Sequence, residues 1–282
     1  ANKDADMEKV LEYVNNSFES AEEQAAFDVY DANNINPLYG FFVARAGLGA
    51  SESMRSKLAE YNDPRLSRAF ITKQGTSGKE QAPGTADNAV YAPNGTPEQG
   101  TSKYGTSLFM YSISAPTLLL SYHELKFLEA EALCRLERDA KSALKDAVVA
   151  GLLNAENSFT ISRKELGKTL INAASSITEA EAESYFDNTI EAKYTAEPLK
   201  TTMTQKYFAL WGASGEATES YNDVRRMKGL GENFIELKNP NSFPLRCPYG
   251  NSDTTTNAEV KAAYGNGQYV YSENVWWAGG SR

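Results

Sequence analysis

The sequence contains few of the residues that build metal centres, disulfide frameworks and nucleophilic catalytic sites. Its 282 residues include two cysteines, Cys134 and Cys247, and one histidine, His123. Two cysteines make neither a disulfide framework nor a metal cluster, and Cys134 falls within an apolar helical pattern typical of a small core residue. A catalytic triad would have to use His123, which lies in the first turn of a packing helix. We therefore expect no metal, no cofactor and no catalytic residue.

Basic charge and long apolar runs are also scarce. The chain has 28 Lys and Arg against 37 Asp and Glu, a formal net charge of -9 and a pI of about 4.9. An acidic balance repels phosphate backbones, so we expect no nucleic-acid partner. The longest apolar runs fall short of the roughly 18 residues that a membrane-spanning helix needs.

The remaining composition is that of a globular protein. Hydrophobic residues make up 41% and charged residues 23%, enough to bury a core. The chain opens with Ala1-Asn2-Lys3-Asp4, without Met, signal peptide or lipidation motif. We interpret this opening as the middle of a longer protein, so missing targeting signals say nothing about location.

Helical patterns dominate, and the clearest spans residues 116–154. A capping-box spacing at Ser121-Tyr-His-Glu124 predicts a helix start, and apolar residues then recur at helical intervals. A second helix is expected after Arg138-Asp139. The two make a helix pair of about tetratricopeptide size, which must stack on another surface because one repeat cannot bury its own face.

Weaker patterns fill the rest of the chain. We predict two short helices within residues 4–30, the second beginning at the capping-box pattern Ser20–Glu23 and continuing through Phe27. A short helix is expected at 51–61, and three or four more within 160–230. Residues 71–106 are rich in Gly, Pro, Ser and Thr and predict a long loop insertion.

Several segments, in this order, resemble the SusD/RagB family of outer-membrane nutrient-binding lipoproteins. They are Asp63-Pro64-Arg65-Leu66, the helix from Ser121 to Ala132, Gln205 to Trp211, Glu219 to Arg226, Phe243 to Arg246 with Tyr249 and Asn257, and Val275-Trp276-Trp277. No single motif is decisive, but their order over roughly two-thirds of the chain is specific. One departure is Gly250, which stands where the family commonly has Pro.

The resemblance implies a fold and a function. The fold would be mainly α, a SusD-like helical fold with a tetratricopeptide-like helix pair, long loop-rich excursions and little β. Residues 1–282 would form one SusD-like domain fragment that lacks the N-terminal half, with its signal peptide, lipidated Cys and most tetratricopeptide helices. The full-length protein would be lipid-anchored on the extracellular face of the outer membrane. There it would bind glycan without catalysis and deliver it to a SusC-like TonB-dependent transporter.

Three other functions stay open at this point. A RagB-like relative would bind peptide on the same fold, and a scaffold would brace a transporter or the rest of the protein without binding ligand. A glycosidase is the weakest alternative, since its paired carboxylates would have to come from residues such as Glu124, Glu129 and Glu131. Those three lie together on one helix, where charges are usually a solvated face.

Sugar capture needs flat aromatic faces and hydrogen-bonding amides. The turn-rich stretches supply the candidate ligand-binding residues Asn36, Tyr39, Tyr91, Asn94 and Tyr104.

Other conspicuous side chains have structural interpretations. Trp211 lies on an apolar helical stripe and is expected in the core, and Trp276 and Trp277 are expected to pack as well. The arginines of the motifs, Arg65, Arg225, Arg226 and Arg246, are expected to form Arg–carboxylate anchors between helix and loop.

Overall fold

The computed structural model describes residues 3–45, 49–74, 80–83, 91–95, 104–167, 170, 174–212, 215–238 and 242–280. It is 58% helical with 6% strand. The prediction of a mainly α fold with little β is therefore confirmed. The chain divides into two compact units, Ala1–Glu236 and Leu237–Arg282, and the single-domain assignment stays a prediction.

The first unit contains nine of the described helices. They are α1 Lys3–Val14, α2 Pro37–Arg45, α3 Glu52–Glu60, α4 Tyr122–Arg135, α5 Lys141–Leu166, α6 Glu179–Tyr185, α7 Glu191–Ala196, α8 Pro198–Ala209 and α9 Ala217–Gly229. A π-helical turn at Phe186–Ile190 joins α6 to α7. The four elements α6 to α9 agree with the three or four helices predicted within 160–230.

The described strands are short and lie in two sheets. Strand β1 (Ala25–Phe27) pairs antiparallel with β5 (Thr117–Leu120). Strand β2 (Phe70–Gln74) pairs antiparallel with β3 (Glu80–Pro83) on one side and with β4 (Thr106–Ser107) on the other. Much of the predicted loop 71–106 lies outside the described residues, and its described ends are these strands.

The α4–α5 hairpin is the centre of the first unit. Ser121 Oγ accepts a hydrogen bond from the Glu124 N–H at 3.0 Å, which caps α4 as the sequence predicts. The chain turns at Glu137, whose φ is +55°. Helix α5 begins at Lys141 and continues past the predicted range to Leu166, where Gly167 ends it with a φ of +51°. The predicted helix pair is confirmed.

The core forms where α4, α5 and α8 meet. Phe127 of α4, Leu144, Leu152 and Phe159 of α5 and Phe208 of α8 are all buried. Their spacing along α5 is that of one helical face, so burial follows the apolar pattern of the sequence. Trp211 packs against Phe70 and Phe109 at 5.4 and 5.1 Å between ring centroids, which confirms its expected place in the core.

One glycine sets the distance between α5 and α8. A Cβ added to Gly151 would lie 2.9 Å from the Cβ of Ala209. Gly151→Ala should therefore lower the free energy of unfolding by about 1 kcal/mol in chemical denaturation, because the helices must move apart. Gly229→Ala is the matched control, since no atom lies within 4 Å of its added Cβ. We expect Gly229→Ala to leave the free energy of unfolding unchanged or to raise it slightly. An equal decrease of this free energy in both variants would contradict a close approach of α5 to α8 at Gly151.

The helix predicted from Ser20 through Phe27 is wrong. Ala25–Phe27 is a strand, and the chain before it forms turns in which the Glu19 N–H donates to Glu23 Oε2 at 2.8 Å. The capping-box spacing is present, but its acidic side chain caps a turn instead of a helix. Pairing with Thr117–Leu120, a segment distant in sequence, overrides the local helical signal.

The second unit is small and rich in turns. It contains α10 (Asn251–Thr256) and α11 (Ala258–Tyr264), and Asn257 caps α11 through its Oδ1. Trp276 and Trp277 lie in a 3₁₀ turn, 5.5 Å apart between ring centroids and each 70% exposed. The expectation that both tryptophans pack is therefore wrong, because their rings contact each other edge to face and leave most of their surface open.

Candidate functional site

The Asp63-Pro64-Arg65 motif of the sequence is a buried anchor. Asp63 accepts from the Arg65 backbone N–H and, through both carboxylate oxygens, from the Arg65 guanidinium at 2.8 and 2.6 Å. Arg65 Nη1 donates to the Phe208 carbonyl at 2.7 Å, which ties the motif to α8. The side chains are 2% and 0% exposed. The predicted structural role of Arg65 is confirmed.

A second network, centred on the buried Glu131, joins α4 to α9. Arg226 donates to both oxygens of Glu131, at 2.5 and 2.8 Å, and to Asp223 at 2.8 Å. Arg135 donates to Glu131 at 2.6 Å and to both oxygens of Glu232. Glu131 is 4% exposed, and its two arginines hold its pKa below the ordinary value. The predicted Arg226 anchor is confirmed.

The other two motif arginines differ from Arg226. Arg225 lies over the Tyr221 ring at 5.8 Å, and Arg246 lies over the Tyr249 ring at 4.6 Å. Arg246 also donates to the Cys247 carbonyl at 3.4 Å. These contacts are stacking on tyrosine rings, and the carboxylate anchors expected for Arg225 and Arg246 stay predictions.

The third network surrounds the single histidine. His123 is 1% exposed, and burial together with the charges of Arg65 and Lys206 lowers its pKa to about 3. Burial and a hydrogen bond to the Glu216 carboxyl raise the pKa of Glu124 to about 8. Lys206 Nζ lies 2.9 Å from Asp223 Oδ2 and 3.8 Å from Glu124 Oε1. Because Glu124 is only 7% exposed, the expected solvated face of Glu124 and Glu131 is wrong.

Two of the predicted ligand-binding residues lie at the start of α2. Asn36 is buried and caps the helix, since its Oδ1 accepts from the Leu38 N–H at 2.8 Å and its Nδ2 donates to the Ala115 carbonyl at 2.8 Å. Tyr39 is half-buried and donates from its hydroxyl to Glu165 Oε1 at 3.2 Å. Asn36 borders a void of about 10 Å³, which is smaller than a sugar ring.

The other three lie near the start of α3. Tyr91 is half-buried and meets Phe70 edge to face at 5.1 Å. Asn94 Oδ1 accepts from Ser51 Oγ at 2.9 Å, and Tyr104 is buried. The five predicted residues therefore form two groups with different neighbours, and Tyr39 and Tyr91 have the more accessible tyrosine rings.

A larger cavity opens beside the α4–α5 hairpin. Its volume is about 540 Å³, within the range of small-molecule sites. The turns before β1, the start of α4, one face of α5 and the start of α6 form its wall. The lining residues are Glu19, Ser20, Ala21, Glu22, Gln24, Tyr122, His123, Lys145, Asp146, Val149, Ala150, Leu153, Asn154, Asn157, Glu179 and Glu183.

We call this whole cavity the hairpin cavity. Its polar part has the chemistry of a saccharide site. Tyr122 supplies a half-buried ring, and Gln24, Asn154 and Asn157 supply amides. Gln24 Oε1 accepts from the Tyr122 N–H at 3.2 Å, which fixes the turn against α4. A ring beside several amides can pack on the apolar face of a pyranose and hydrogen-bond its hydroxyls.

Sequence reasoning missed the hairpin cavity. Gln24 and Tyr122 lie 98 residues apart, and the pairing of β1 with β5 brings their segments together. The available signal was the open face of the helix pair, which must contact something. The open helical face does not indicate which residues of the chain form the other wall of the cavity.

Within the described part of the chain, no group of three His, Cys, Asp or Glu side chains is arranged to hold a metal ion. No described helix is long and apolar enough to span a bilayer.

Comparisons with known proteins agree with this fold. The family described as starch-binding and associating with the outer membrane, a SusD-like family, matches residues 1–249. A SusD/RagB family protein of Bacteroides thetaiotaomicron VPI-5482 has a TM-score of 0.90 and 65% identity, over 100% of this chain and 61% of that one. The comparison with curated proteins gives no match.

More distant structures share the fold alone. A SusD homologue of Bacteroides fragilis NCTC 9343 has a TM-score of 0.58 and 19% identity, over 90% of this chain and 57% of that one. A chitin-binding protein has a TM-score of 0.58 and 19% identity, over 92% of this chain and 56% of that one. The chain thus spans about three-fifths of the length of these structures.

The mainly helical scaffold is that of a SusD-like fold. The chain belongs to the SusD-like family, whose members are binding proteins associated with the outer membrane.

Proposed function

We propose that this protein captures oligosaccharide without catalysis at the cell surface, for delivery to a SusC-like TonB-dependent transporter. Family membership supports binding as the activity and the outer membrane as the location. The extracellular face and a lipid anchor in the full-length protein are part of the proposal, as the resemblance implies. Co-purification of the full-length protein with its transporter from detergent-solubilised membranes would test the partnership.

The observation that carries the proposal is the hairpin cavity. It combines the Tyr122 ring with the amides of Gln24, Asn154 and Asn157 in a space of about 540 Å³. The ring can stack on a sugar and the amides can hydrogen-bond its hydroxyls, so these groups can hold a saccharide without breaking a bond.

Tyr122→Ala should weaken binding of the best glycan about tenfold in isothermal titration calorimetry, because stacking area is lost at the centre of the site. The glycan is first chosen from a panel of plant and host oligosaccharides. Tyr13→Ala is the matched control, since Tyr13 is an exposed helical tyrosine that does not line the cavity.

The two variants separate the possible outcomes. Unchanged binding in Tyr122→Ala would remove the hairpin cavity as the glycan site. If the full-length protein bound no glycan of the panel, glycan capture itself would be contradicted.

A peptide ligand is the second candidate function, and one observation favours it. Val149 and Leu153 are half-buried on the α5 face of the cavity, with Ala150 between them. Apolar side chains of a peptide would bury against them better than hydroxyls would. Recovery of peptides and no sugar in a pull-down with the native protein would favour this alternative.

The five residues of the turn-rich stretches stay a second proposed location for glycan. Tyr39 and Tyr91 are the two to test, because each keeps part of its ring exposed. Loss of glycan affinity in Tyr39→Ala or Tyr91→Ala, with Tyr122→Ala unaffected, would move the site there. A scaffold without ligand predicts that none of these substitutions changes uptake.

A further inference from the structure

The rim of the hairpin cavity carries negative charge, which binding of a neutral oligosaccharide does not require. Five carboxylates line the cavity: Glu19 and Glu22 in the turns before β1, Asp146 on α5, and Glu179 and Glu183 on α6. They come from three different parts of the chain. All five residues are exposed, so their carboxylates face water around the opening.

The positive charge at the cavity is already neutralised. Lys145 is the one lysine or arginine among the described lining residues. Its Nζ lies 2.8 and 2.9 Å from the two carboxylate oxygens of Asp187, outside the cavity lining. His123 is uncharged near neutral pH, since burial lowers its pKa to about 3. Lys126, whose Nζ lies 5.8 Å from the centroid of the Tyr122 ring, is paired with Glu129 Oε2 at 2.9 Å. The five rim carboxylates therefore outnumber the lysines beside the cavity, and both of those lysines have carboxylate partners outside its lining.

The carboxylates are dispersed around the opening. Among the described residues, no three acidic groups converge closely enough to hold a metal ion. A dispersed ring of charges creates a field over the whole opening, which extends about 10 Å at 0.1 M salt. Such a field suits an extended ligand with several positive charges better than a single small cation.

We propose that the hairpin cavity selects oligosaccharides that carry free amino groups, such as partly deacetylated amino-sugar chains, and rejects acidic glycans. The amides and the Tyr122 ring would bind the sugar rings, and the rim carboxylates would attract the ammonium groups. Uronate, sulfate or sialic acid groups would be repelled by the same field. This inference rests on the proposed function, because it assigns a substrate class to the same cavity.

The test compares two ligands with the same β-linked backbone. Chitosan hexaose carries free amines and chitin hexaose carries neutral acetamides. Titration calorimetry below the pKa of the sugar amine, at low ionic strength, should show chitosan hexaose binding about tenfold more tightly. Raising the salt to 0.5 M should remove most of the difference while chitin hexaose affinity stays nearly constant.

Paired variants separate the rim from the overall charge of the protein. Glu179→Gln/Glu183→Gln should reduce the preference for chitosan hexaose about threefold. Glu52→Gln/Glu60→Gln changes the net charge of -9 by the same two units, and neither residue lines the cavity. Both pairs include a glutamate in the first turn of a helix, so helix-end effects are matched.

The outcomes distinguish this inference from the function on which it rests. Equal affinity for both hexaoses, or equal loss of preference in both variants, would overturn the charge selection. Binding of an acidic glycan that depends on Tyr122 would also overturn it, while glycan capture would stand. If the protein bound no glycan at all, the proposed function and the inference would both be overturned.

Discussion

Arg65→Ala should lower the free energy of unfolding by about 3–5 kcal/mol, the largest effect we expect from a single substitution in this protein. The guanidinium and the Asp63 carboxylate are 2% and 0% exposed, so the pair is fully removed from water. Removing the arginine leaves the Asp63 charge buried without its partner. It also leaves the Phe208 carbonyl without the donor that Arg65 Nη1 provides at 2.7 Å.

Urea denaturation followed by circular dichroism would measure this loss. Arg138→Ala is the control, because Arg138 also pairs with a carboxylate, that of Glu8, but about half of each side chain is exposed. The control should lose less than about 1 kcal/mol, since exposed ion pairs contribute little. Equal losses in the two variants would show that burial of the Arg65 pair does not govern its contribution.

Adding Asp63→Asn to Arg65→Ala should recover part of the loss. The double variant removes the unpaired buried charge, although the Phe208 carbonyl still lacks its donor. A double variant less stable than Arg65→Ala alone would mean that Asp63 is stabilised by groups other than the arginine. One such group is Tyr185, whose hydroxyl donates to Asp63 Oδ2 at 3.4 Å.

Glu124→Gln should stabilise the protein progressively, relative to the wild type, as the pH rises from 5 to 9. Burial and the Glu216 carboxyl raise the pKa of Glu124 to about 8, against 4.5 in its ordinary state. Between these two values the folded protein holds a proton that the unfolded chain releases. Wild-type stability therefore falls as the pH rises through this window.

Glutamine does not ionise, so the variant lacks this loss. We expect the stability difference between variant and wild type to change by about 2–3 kcal/mol between pH 5 and pH 9. This is less than the full pKa shift corresponds to, because the carboxyl is not fully removed from water and solvent screens its charge. Free energies of unfolding from urea titrations at five pH values would measure it.

His123 contributes a pH dependence of the opposite sign. Its pKa is lowered to about 3 from 6.5, so between these values the unfolded chain binds the proton more readily. Stability from this group rises with pH up to about 6.5. The contribution is common to wild type and variant and cancels in their difference.

Glu12→Gln is the control for the Glu124 experiment, because Glu12 is an exposed residue of α1. Its stability difference from the wild type should stay constant over the same pH range. A constant difference for Glu124→Gln as well would mean that Glu124 titrates like a solvated carboxyl.

The helical hairpin and the Asp63–Arg65 anchor could be predicted because their signals are local. A Ser121 cap, apolar spacing along α4 and α5, and a proline between Asp63 and Arg65 all act within a few residues. The end of α5 at Leu166 was missed because no strong breaker precedes Gly167. The strand at Ala25–Phe27 was missed because its partner lies about ninety residues away.

Burial of charge was the property that sequence patterns predicted least well. Glu124 and Glu131 follow the spacing of a solvated helix face, and their burial comes from α8 and α9 packing over them. The basic groups that compensate them, Lys206 and Arg226, belong to those later helices. A helical period specifies which residues share a face, but it does not specify whether another helix covers that face.

The sequence by itself determined the mainly helical class, the α4–α5 pair and the family, because these depend on local periodicity and on motifs in a fixed order. The tertiary structure alone decided which carboxylates are buried, which tyrosines keep an open ring, and that Gln24 meets Tyr122 at a cavity. The physical reason is that burial and cavity shape arise from contacts between segments far apart in the chain. Short-range pattern carries almost no information about such contacts.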